Sequence, residues 1–296
     1  MPAPHAGRQG GEASVRPILF EHRGARLRAY PVLLYAGLLA GVMVGRRAGA
    51  GFGLDPDLVT LALLLLVPVG LAGARLLFVL LHWDLYRNDV QRIWRVGEGG
   101  ASLYGGFLVV TLASIPIVAL LRLPAAAFWD AAAVAMLAGL ACGRIGCFLN
   151  GCCAGRPDSG PFAMRLPDHR GRWRRRLPLQ LCEAAYAAGL LLVLVMWATP
   201  PFPGAFAVIA IGTYAVLRFG LERLRESSDR VGSLRVHRAI SAALFTLSVV
   251  LWMLLRPDPP LGITQHGNVV RSRPLRPVAS TVPTPPLRVP PPIDAR

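Results

Sequence analysis

The chain has 296 residues, of which 54% are hydrophobic and only 16% charged, with a formal net charge of +16. A charged fraction so far below the roughly 25% of ordinary soluble domains excludes a soluble globular class and points to a membrane protein. Every basic side chain is arginine, and no nucleic-acid-binding module is in view, so the counter-charge this excess fits is anionic lipid.

A membrane span needs about 20 mostly apolar residues and satisfies its backbone internally as a helix. Residues 1–28 lack the long apolar core of a cleaved signal peptide, so the first span is expected to direct insertion itself. Seven helical spans are predicted at about 29–46, 58–82, 104–121, 126–149, 180–199, 205–222 and 239–255. No alternating pattern suggests a barrel, and no internal repeat is found. The predicted class is an all-α polytopic membrane protein with a polar head-group-binding region on one face. A seven-helix domain over 29–255 follows the polar segment 1–28 and precedes a Pro/Arg-rich tail over 256–296. That tail is expected to be disordered, because it cannot bury enough apolar surface to offset ordering.

The loops at 83–103, 150–179 and 223–238, together with the N-terminal segment, hold most of the arginines and fall on one side of the predicted bundle. Counted by the positive-inside rule, that side is cytoplasmic. The rule misleads if these arginines bind lipid phosphates.

Some arginines sit where snorkelling is the less satisfying account. Arg144 closes the fourth span, within ACGRIGCFLNGCCAGRP. Arg218, Glu222 and Arg225 follow one another at helical steps of four and three, in YAVLRFGLERLRE. That spacing predicts an Arg218–Glu222 ion pair with a second cation beside it. An anionic head group held by two guanidiniums satisfies both charge and geometry. The glycines around Asn150, including Gly151 and Gly155, allow a tight turn with exposed backbone N–H groups, fit for a phosphate or glycerol.

Four of the five cysteines, Cys142, Cys147, Cys152 and Cys153, fall within twelve residues; the fifth is Cys182. This spacing is no disulfide framework. Three readings stay open: small filler beside a turn, a metal site from Cys147, Cys152 and Cys153, or a redox pair such as Cys142–Cys147 or Cys147–Cys152.

Five stretches taken together resemble the prolipoprotein diacylglyceryl transferase family. They are RAYPVLLYAG at 28–37, GEGGASLYGG at 97–106, GRIGCFLNGCCAG at 143–155, PFAMRLP with LPLQLCEA at 161–167 and 177–184, and IGTYAVLRFGLERLRES at 211–227. The resemblance covers most of residues 26–235 and implies transfer of a diacylglyceryl group from phosphatidylglycerol to the thiol of a lipoprotein-precursor cysteine, with glycerol phosphate leaving. It implies an inner-membrane enzyme with its site toward the outer face, the reverse of the charge count, and the chain is expected to act as a monomer without metal or cofactor.

By position, it makes Arg144 and Arg218 catalytic, with Tyr104 where the family usually has a histidine. It places Tyr30, Asn150, Gly155, Glu222, Arg225 and Cys147 in substrate binding. The departures are Tyr104, Cys147 for an asparagine, Cys152 for a glutamate, and Leu177 and Cys182 for a histidine and a tyrosine. The histidine has been proposed as the thiol's base. A free thiol has a pKa of about 8.5 and a phenol about 10, so tyrosine is a poor replacement. A paralogue with a different acceptor or donor, or a non-enzymatic anion- or metal-binding membrane protein, are the alternatives.

Overall fold

Each predicted span coincides with a helix in the computed structural model, which describes residues 18–22, 25–94, 100, 102–167, 172–225, 230–231 and 234–257. The helices are α1 (Ala29–Gly51), α2 (Pro56–Leu81), a four-residue α3 (Trp83–Tyr86), α4 (Leu103–Leu120), α5 (Ala125–Asn150), α6 (Leu179–Trp197), α7 (Ala205–Leu221) and α8 (Val236–Leu255). Six are long and apolar enough to cross a membrane; α4, with its apolar stretch Tyr104–Leu120, is shorter. The chain is therefore an all-α, multi-pass membrane protein. Among the described residues, three short hairpins decorate it: β1 (Ile18–His22) with β2 (Ala25–Arg28), β3 (Met164–Pro167) with β4 (Trp173–Arg176), and β5 (Arg230–Val231) with β6 (Leu234–Arg235). The tail from residue 258 and residues 1–17 lie outside the described residues.

Helix α5 is central, packing along α1, α6 and α7, while α2 pairs with α4 and α7 with α8. Gly37, Gly41, Gly45 and Gly49 are all buried on one face of α1; the first three build the α1–α5 seam, and Gly49 meets Val59 of α2. A Cβ added at Gly41 would stand 2.8 Å from the Ala135 carbonyl oxygen, and one at Gly45 would stand 2.8 Å from the Ala135 Cβ. In lipid, where burial of apolar surface gives no drive between helices, such small residues let backbones approach and gain dispersion contact.

Helix ends are set locally. Asp55 caps α2, accepting from the amides of Asp57 at 2.8 Å and Leu58 at 3.1 Å, with Pro56 in the first turn. Arg75, although placed inside the second span, donates to the backbone carbonyls of Ile93 (3.0 Å), Gly100 (2.9 Å) and Arg92 (2.9 Å). It ties the loop after α2 back onto that helix, which is a structural use of a membrane-edge guanidinium. Alternation of the spans brings the starts of α4, α6 and α8 and the ends of α5 and α7 to one end of the bundle.

Candidate functional site

At that end, Glu183 is the centre. It is the only charged residue between Arg176 and Arg218, and it stands one turn into α6 with no exposed surface. A bare carboxylate there is costly, and it is offset by three guanidiniums from three places in the chain. Arg144, near the end of α5, places its Nε on Oε2. Arg218 of α7 donates Nη1 to Oε1 at 2.9 Å, and Arg225 donates Nη2 to the same oxygen at 3.2 Å. Arg144 and Arg218 are thus brought together, but through a carboxylate that sequence reasoning left out of the site.

The expected Arg218–Glu222 pair is looser, at 3.8 Å, than the contact with Glu183. The reason is local: α7 ends at Leu221 and tightens into a 3-10 turn over Glu222–Leu224, so the four-residue step no longer stacks the two side chains as on an α-helix. Three guanidiniums face two carboxylates here. Among the described residues, the buried Nε atoms of Arg218 and Arg225 have no hydrogen-bond partner, and neither do the two carboxylate oxygens of Glu222. Unused N–H donors in a fixed planar fork are what a phosphate oxygen fits.

Backbone crossings hold this cluster. The Gly155 amide donates to the Leu177 carbonyl at 2.8 Å and the Arg156 amide to the Leu224 carbonyl at 2.7 Å. Gly155 is also bridged to Arg225, and a Cβ there would stand 2.9 Å from the Leu224 carbonyl oxygen. Gly155 therefore marks a close backbone approach that seats Arg225. The buried Arg176 donates to the Gly155 carbonyl at 3.3 Å, and Gln180 donates to the Cys152 carbonyl at 2.5 Å.

Tyr104, in the first turn of α4, lies under Arg218, whose guanidinium carbon is 5.9 Å from the ring centre. Its hydroxyl shares a hydrogen bond with Ser241 at 3.1 Å, and its ring stacks on His237 at 5.2 Å. Tyr30 opens α1, packed over Gly146, with its hydroxyl in electrostatic reach of Arg144 and of Cys147, Cys152 and Cys153. Asn150 ends α5 at the surface, with its amide interacting with the Cys152 thiol.

The cysteines have a backbone explanation. Gly151, at φ 72°, closes α5 in the left-handed conformation. Its amide donates to Phe148 at 3.0 Å, and the Cys152 amide reaches back to the Cys147 carbonyl at 3.1 Å. This is a Schellman closure, which normally sets two apolar side chains together; here the pair is Cys147 and Cys152. Cys153 is itself left-handed at φ 63°, uncommon for a residue with a Cβ. The three Sγ atoms lie within 4.8 Å of one another. The Cys153 thiol is held well below the ordinary thiol range by hydrogen bonds from Cys147 and Cys152, with Arg144 and Arg225 adding to the effect. Cys142 packs instead in the α1–α5 seam, against Gly37.

Beside the clamp, between α6, α7 and the segment leading into β3, lies an apolar pocket of about 540 Å³ lined by Phe162, Met164, Leu179, Leu181, Leu221 and Leu224, among others. Sequence reasoning missed Glu183, Gln180, Arg176 and the Ser241–His237 pair. For Glu183 the signal was present: a lone acid in a long uncharged stretch.

The family model for prolipoprotein diacylglyceryl transferase matches residues 17–254. A phosphatidylglycerol–prolipoprotein diacylglyceryl transferase of Geobacillus kaustophilus is 30% identical over 262 residues, covering 83% of this chain and 95% of that protein. The protein of the same name from Trichormus variabilis is 28% identical over 260 residues, covering 82% and 91%. That from Listeria monocytogenes is 23% identical over 279 residues, covering 89% and 99%. With the match running from the first hairpin almost to the end of α8, the chain belongs to the prolipoprotein diacylglyceryl transferase family.

Proposed function

We propose that this chain transfers the diacylglyceryl group of phosphatidylglycerol to the thiol of a lipoprotein-precursor cysteine and releases glycerol phosphate. The observation that carries the reading is the gathering of Arg144, Arg218 and Arg225 around buried Glu183, with guanidinium donors left over. The lipid phosphodiester bears one negative charge. As the thiolate attacks the glyceryl carbon and the carbon–oxygen bond breaks, the departing phosphate gains a second. Guanidiniums in a water-poor site hold the doubly charged group more tightly than the singly charged one, and that difference lowers the barrier.

Arg144 and Arg218 grip the phosphate. Glu183, Glu222 and Arg225 keep them aimed, and Tyr104 supports Arg218 from below. Tyr30, Asn150 and Cys147 line the approach, with Gly155 seating the Arg225 strand. The apolar pocket beside Leu179 and Leu221 takes acyl chain. The site faces outward from a bacterial inner membrane, its arginine-rich loops serving lipid phosphates rather than marking the cytoplasmic side.

The test is transfer of labelled lipid from phosphatidylglycerol to a lipobox peptide in membranes carrying the chain, read as thioether product. Arg144→Ala and Arg218→Ala are expected to lose transfer by about 10²-fold or more, as when a preorganised donor to a developing oxyanion is removed. Transfer at the unaltered level in either variant overturns the clamp. For orientation, Ser159→Cys in a cysteine-free background is expected to react with an impermeant maleimide in intact cells; protection there places the site inside.

A further inference from the structure

We infer that Cys147, Cys152 and Cys153 form a three-thiolate zinc site whose open fourth position takes the acceptor cysteine as a thiolate. The inference rests on the transfer reading above and supplies a way to deprotonate the acceptor that does not depend on a side-chain base. Glu183 is engaged by three guanidiniums. The Tyr104 hydroxyl is engaged with Ser241.

The geometry suits a single ion. Zinc–sulfur bonds of about 2.3 Å in a tetrahedron separate sulfurs by about 3.8 Å, so Sγ atoms already within 4.8 Å need close by only about 1 Å. Two backbone devices build the group: the Schellman closure on Gly151 lays Cys152 over Cys147, and the left-handed Cys153 turns a third sulfur back to them. Cys147 lies one helical turn after Arg144, so the ion would sit beside the phosphate clamp. Zinc is borderline-soft and redox-inert, and three protein ligands leave one position for substrate.

The step balances. The acceptor thiol binds zinc and its proton goes to solvent, because a coordinated thiol is deprotonated outright. Its sulfur lone pair forms the carbon–sulfur bond at the glyceryl carbon. The carbon–oxygen pair leaves on the phosphate, held by Arg144 and Arg218. The thioether product, now neutral, is a weak ligand and departs.

The experiment uses the purified full chain. Zinc is titrated against a chromogenic chelator, and cobalt(II) replaces it as a spectroscopic probe. We expect one ion per chain, a tetrahedral cobalt spectrum with sulfur-to-cobalt charge transfer, and loss of both in Cys152→Ser/Cys153→Ser. Adding a lipobox peptide should strengthen the charge-transfer band, whereas the same peptide with serine for cysteine should not. Arg218→Ala should keep the metal and the peptide response while losing transfer. A chain that transfers at full rate without metal, or a cobalt spectrum indifferent to the peptide thiol, overturns the inference and leaves the transferase reading standing. A peptide-responsive cobalt site in a chain that forms no thioether supports the site and sinks the reaction instead.

Discussion

Among the described residues, two carboxylates have no exposed surface, and they do opposite things. Asp130, near the start of α5, accepts from the backbone amides of Gly204 at 2.6 Å and Ala207 at 3.0 Å, closing the first turn of α7. Glu183, at the other end of the bundle, accepts from side-chain guanidiniums, two of which, Arg218 and Arg225, each keep a buried Nε without a hydrogen-bond partner. Asp130 completes a helix end, where amides otherwise lack partners. Glu183 organises cations that are still able to bind. Burial alone does not separate the two; the nature of the partner, and what that partner has left to offer, does.

The sharpest way to break this contrast is Glu183→Gln. Neutralising the carboxylate removes what aims three guanidiniums, and misplacement by about 1 Å costs roughly 10²-fold in rate. The transfer rate is expected to fall by that order. Glycerol phosphate should bind more tightly, since donors formerly on Glu183 are released to it. A structural role alone would lower the yield of folded protein without splitting kcat from product affinity. Unchanged kcat in folded Glu183→Gln removes Glu183 from the site.

How much of this was legible follows the same division. The seven spans were readable because each is a run of apolar residues bounded by polar turns. Their ends were less so: α1 runs on through Arg46 and Arg47 to Gly51, because arginines can reach water from inside a helix end. The meeting of Arg144 and Arg218 was anticipated from motifs. Its agent was not, because sequence spacing favoured the neighbour Glu222 over Glu183, thirty-five positions away from Arg218. Local periodicity holds only while the helix does, and α7 gives way at Leu221. The three thiols converge through left-handed backbone at Gly151 and Cys153, which one-dimensional spacing does not convey.

The other side of the contrast is tested by Asp130→Ala. Two buried amides lose their acceptor, each costing about 1–3 kcal/mol, so a loss of about 2 kcal/mol or more is expected in thermal unfolding in detergent. Transfer per folded molecule should stay unchanged, since Asp130 touches none of the clamp. Loss of activity at full stability would mean that the two ends of α5 are coupled and that the division drawn here is false.

The smallest effect is expected from a pair that looks strong on distance alone. Arg46 donates to Asp57 at 2.6 Å and to Thr60 at 3.2 Å, linking the end of α1 to the start of α2. The two charged side chains are 47% and 85% exposed, so water already stabilises both charges, and holding two long chains in one geometry costs rotamer entropy. Arg46→Ala should therefore change stability by less than about 1 kcal/mol and leave transfer intact. A close contact between solvated charges is a weaker constraint than the 2.9 Å contact between Arg218 and buried Glu183, because solvent competes for the first and is kept from the second. A loss from Arg46→Ala as large as that from Asp130→Ala, read by the same unfolding measurement, would show that this end of the bundle is drier than its exposure indicates.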